Sequence, residues 1–64
     1  MNDNAKIIKT IGYGSFEVSL LQLASGSYCV MTVQDEIETF SEPIRDFANA
    51  LYVFNNKFMA LQGH

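Results

Sequence analysis

The sequence predicts an α+β fold, an antiparallel meander of three or four β-strands followed by one C-terminal α-helix packed on one sheet face (βββ(β)α). Three observations predict it. Residues 6–40 hold β-branched and aromatic side chains in short runs broken by Gly, Ser and Asp, the pattern of strands joined by turns. Ser41-Glu42-Pro43 reads as a helix start: a capping hydroxyl, an acid for the positive helix end, and a proline tolerated in the first turn. From Ile44 onward the apolar residues recur in steps of three and four. The 64 residues therefore divide into a flexible N-terminus over 1–5, a sheet over 6–40 and a helix over 42–62, in one small domain.

The first strand is expected at 6–11, ending in Gly12-Tyr13-Gly14-Ser15, where two glycines permit backbone angles that other residues avoid. The second runs over 16–23 and the third over 28–33, joined by the short turn Ala24-Ser25-Gly26-Ser27. Gln34-Asp35-Glu36 reads as another tight turn before a short strand at 37–40. In the helix, Ile44, Phe47, Leu51, Phe54, Phe58 and Leu61 form an apolar stripe that Ala48, Val53 and Met59 widen, and Gly63 is the natural stop. Phe47, Phe54 and Phe58 are expected in the core.

Both sheet faces carry apolar residues. Phe16, Val18 and Leu20 alternate with Glu17, Ser19 and Leu21, while Tyr28, Val30 and Thr32 alternate with Cys29, Met31 and Val33, so neither side is cleanly polar. One helix covers one face. The other is expected to carry an apolar patch drawn from Ile8, Leu21, Leu23, Tyr28 and Val30, and such patches mark interfaces.

Composition narrows the function classes. With 48% hydrophobic residues and a net charge of −3, the chain has the apolar content to fold rather than remain disordered. No run approaches the roughly 20 apolar residues of a membrane helix. The start, Met1-Asn2-Asp3-Asn4, lacks the basic and apolar regions of a secretory signal, and with the lone thiol Cys29 it predicts a cytoplasmic protein. A pI near 4.7 disfavours direct nucleic-acid binding. One cysteine excludes an internal disulfide, and one His with one Cys does not make a soft metal site, so no cofactor or metal is expected. A chain this small has little core in reserve, which leaves oligomerisation as a route to stability.

Few residues point to chemistry. Gly12-Tyr13-Gly14-Ser15 precedes a strand rather than a helix, so it reads as a turn and not as a phosphate loop. Cys29 reads as a core or interface thiol and His64 as a trailing residue after the helix, and no catalytic residues are expected. Asp35, Glu36, Glu38, Glu42 and Asp46 form an acidic strip that suits turns and a helix start, or alternatively an inhibitor surface, of a phage type, for a basic or nucleic-acid-binding partner. Asp35, Glu36 and Glu38 lack the glycine and ligand spacing of a calcium loop. Tyr52 falls off the apolar stripe and is the helix residue expected to meet a partner. The sequence thus predicts a non-enzymatic interaction or regulatory protein, a homodimer through an apolar sheet face or strand edge, with Leu21, Leu23, Tyr28, Val30 and Tyr52 as apolar contacts.

Overall fold

The computed structural model describes residues 5–63. Most of the expected flexible N-terminus, and His64, lie outside the described residues. The elements are β1 (Lys6–Tyr13), β2 (Phe16–Gln22), β3 (Tyr28–Gln34), β4 (Ile37–Phe40) and α1 (Phe47–Gln62). The strands form one open antiparallel sheet in sequence order, and α1 packs on its two central strands, β2 and β3. This is the predicted βββ(β)α arrangement, with four strands.

The turns follow from a few backbone positions. Gly14 takes a φ of 63° as the first of two central residues between β1 and β2, the position that glycine fills in a type II′ hairpin. The β3–β4 turn is more demanding. Asp35 and Glu36 both have positive φ, 55° and 68°, as in a type I′ turn, although neither is glycine. Between β2 and β3, the Leu23 amide donates to the Ser27 carbonyl at 2.8 Å and the Gly26 amide donates to the Leu23 carbonyl at 2.9 Å.

The helix begins later than the sequence predicts. Its N-cap is Asp46, whose carboxylate accepts from the Asn49 amide at 3.0 Å, and Ser41 does not cap it. The physical reason lies in Pro43, which disfavours helical angles at Glu42. The chain instead stays extended along β3. The Ser41 amide donates to the Val30 carbonyl at 2.9 Å, and Ile44 and Tyr28 exchange two backbone bonds of 2.7 Å. From Val30–Ser41 to Tyr28–Ile44 the outer chain uses one residue more than β3, so Pro43, which has no N–H to offer, sits in the irregular stretch.

Register decides which side chains meet the helix. Val18 pairs with Ile11 and Thr32, and Leu20 with Lys9 and Val30. Paired residues share a face, so Ile11, Phe16, Val18, Leu20, Tyr28 and Val30 lie under α1. Val18, Leu20, Val30, Ala50 and Phe54 are fully buried and form the core. Ala50 is small enough for the helix to approach the sheet closely, although it lies outside the expected stripe. Phe47 departs from expectation in the other direction: at the first helical position it is 43% exposed, with its ring 5.3 Å from that of Tyr28. At the far end of the helix, Phe58, Phe16 and Tyr13 form a triangle of rings 5.8 to 6.2 Å apart.

Candidate functional site

Among the described residues, α1 packs on one face of the sheet and no helix packs on the other. Three cross-strand rows make it up. The first is Ile7, Leu21 and Cys29; the second is Thr10, Ser19, Met31 and Phe40; the third is Gly12, Glu17, Val33 and Glu38. A β-bulge at Ile8 builds the first row. It shifts the register between Ile7 and Lys9, turning Ile7 to the open face while Lys9, Ile11 and Tyr13 stay on the helix side. The Lys9 ammonium then lies 5.6 Å from the centre of the Phe54 ring, a cation–π contact at the core margin.

The floor of this face is shielded and its margins are open. Leu21 and Cys29 are each 7% exposed and Ser19 is buried, whereas Ile7 and Phe40, on the two edge strands, are 61% and 55% exposed. Met31 and Val33 are half-buried. Thr10 and Ser19 share a hydroxyl hydrogen bond of 3.1 Å across the middle row. The Cys29 thiol donates to the Ser41 carbonyl at 3.3 Å, which places it in a packed structural setting.

This register corrects the expected patch. Val30 is fully buried under the helix and Tyr28 packs on the same core, so neither belongs to the open face. Pairing sets Leu21 against Cys29 and Leu20 against Val30, and the alternation within each strand cannot reveal which phase of one matches which phase of the next. Leu23 lies half-buried in the loop after β2. Tyr52 is 68% exposed on the outer side of α1, away from the sheet. Sequence reasoning missed Ile7, Met31 and Phe40. Phe40 shares strand parity with Glu38, a signal present in the sequence, whereas the bulge that turns Ile7 leaves none.

The acidic strip divides. Asp35 and Glu36 form the β3–β4 turn and Glu38 points to the open face beside Val33. Glu42 and Asp46 belong to the opposite end, where Asp46 caps the helix. Glu17, which pairs with Val33, takes their place. One end of the molecule therefore holds Glu17, Asp35, Glu36 and Glu38, and the C-terminal end of α1, whose last turn has no basic residue, packs through Phe58 on Tyr13 and Phe16 at the same end. Its carbonyls add to the negative potential there.

A shallow, wide-mouthed depression of about 520 Å³ lies at this acidic end, between the β1–β2 turn and the side chains of Glu17 and Glu36. Cys29 does not line it. Among the described residues no group of three His, Cys, Asp or Glu is placed to hold a metal ion, and no helix is long and apolar enough to cross a membrane. No protein-family model, curated protein or solved structure matches the chain.

Proposed function

We propose that the protein is a non-enzymatic interaction module that associates with a second copy of itself through the open sheet face. The observation that carries this reading is the face away from the helix, with Ile7 and Phe40 exposed on its margins and the half-buried Met31 and Val33 between them. Large exposed apolar side chains sharing one surface favour an interface over a solvated face.

The edges support the face over edge pairing. β1 carries Lys6, Lys9 and a bulge, and β4 is four residues long, contains Glu38, follows Glu36 and is followed by Pro43. These are devices that discourage strand addition. A buried free thiol also suits a reducing compartment, so we place the protein in the cytoplasm.

Sedimentation at micromolar concentration tests the reading, with a dimer expected. Phe40→Glu and Ile7→Glu should give monomers that keep the helical circular dichroism of the parent. A monomeric parent at those concentrations overturns the proposal. Val30→Glu is unsuitable because it puts a charge in the core.

A second reading rests on the four carboxylates gathered at one end: an acidic surface that docks a basic partner or a nucleic-acid-binding protein. Its residues are Glu17, Asp35, Glu36 and Glu38. Binding to such a partner would weaken with salt and be lost on reversing these charges to Lys.

A further inference from the structure

We draw no further inference here: the strongest candidate, the shallow depression at the acidic end of the sheet between the β1–β2 turn and the side chains of Glu17 and Glu36, rests on an acidic cluster alone, since the unpartnered buried hydroxyl of Thr32 does not line it and no second observation points to a ligand there.

Discussion

The amide of Val30, a residue with no exposed surface, donates to the Ser41 hydroxyl at 2.9 Å, and the Ser41 amide donates back to the Val30 carbonyl. The same hydroxyl donates to the Glu42 carbonyl at 3.0 Å. Ser41 therefore extends the sheet past β4 and does not cap the helix. Replacing it with alanine strands a buried N–H, which costs about 1–3 kcal/mol. Ser41→Ala should lower the melting temperature by roughly 4–8 °C per kcal/mol. The native helical signal should be unchanged, because the cap lies elsewhere. Thermal and urea unfolding followed by circular dichroism check both points.

Asp46 is that cap, so its removal should act on the helix itself. Asp46→Ala should cost about 1 kcal/mol, and Asp46→Asn should retain most of the stability because an amide oxygen also accepts from the Asn49 amide. Hydrogen exchange locates the effect. The Asn49 amide should lose protection in Asp46→Ala while the β2 and β3 amides keep theirs.

These two residues mark where the sequence was legible and where it was not. The strands were readable from short β-branched runs between turn residues, and the helix from its stripe, because those signals are local. The segment 41–46 was not, because two helix starts compete there. Ser41-Glu42-Pro43 and Asp46 followed by Phe47 both offer a cap, and only the tertiary pairing of Ile44 with Tyr28 decides between them. The site suffered from the same gap. Alternation names the two faces of each strand, but the match of Leu20 with Val30, which buries Val30, is a relation between strands.

The β3–β4 turn holds two non-glycine residues at positive φ, Asp35 and Glu36, each at a position where Asn or Gly is favoured. A non-glycine residue in this region costs about 1 kcal/mol. Glu36→Gly should therefore stabilise the protein by up to about 1 kcal/mol, and the loss of one of four neighbouring carboxylates acts in the same direction. Asp35→Asn should give a smaller gain. Raised urea midpoints with an unchanged slope would verify these effects, whereas a lower midpoint for Glu36→Gly would mean that its side chain makes a contact worth more than the backbone strain.

Phe54 and Phe47 share a residue type and a helix, so they separate burial from identity. Phe54 is fully enclosed between α1 and the sheet, and Phe54→Ala should cost about 3–5 kcal/mol, enough to unfold much of a domain this small. Phe47 keeps 43% of its surface exposed and makes an edge contact with Tyr28. Phe47→Ala should cost about 1 kcal/mol, the worth of an aromatic pair with partial burial. A stability scan of the two variants reads the difference directly, and equal losses would place Phe47 in the core after all.

Thr32 poses the reverse problem, a polar atom where an apolar one would do. Its side chain is 7% exposed on the helix side of β3, and its hydroxyl oxygen has no hydrogen-bond partner among the described residues. Thr39, opposite it on β4, does not supply one. An unsatisfied buried hydroxyl costs about 1–3 kcal/mol, and valine has nearly the same shape without it. Thr32→Val should therefore raise stability by about 1 kcal/mol, with the β-branched side chain still suited to a strand. The expected sign is opposite to that for Ser41→Ala, although both remove one hydroxyl near the same pair of strands, because one hydroxyl is bonded to a buried amide and the other to nothing. Urea unfolding of the two variants side by side checks the pair, and a loss of stability in Thr32→Val would show that its hydroxyl is bonded in solution.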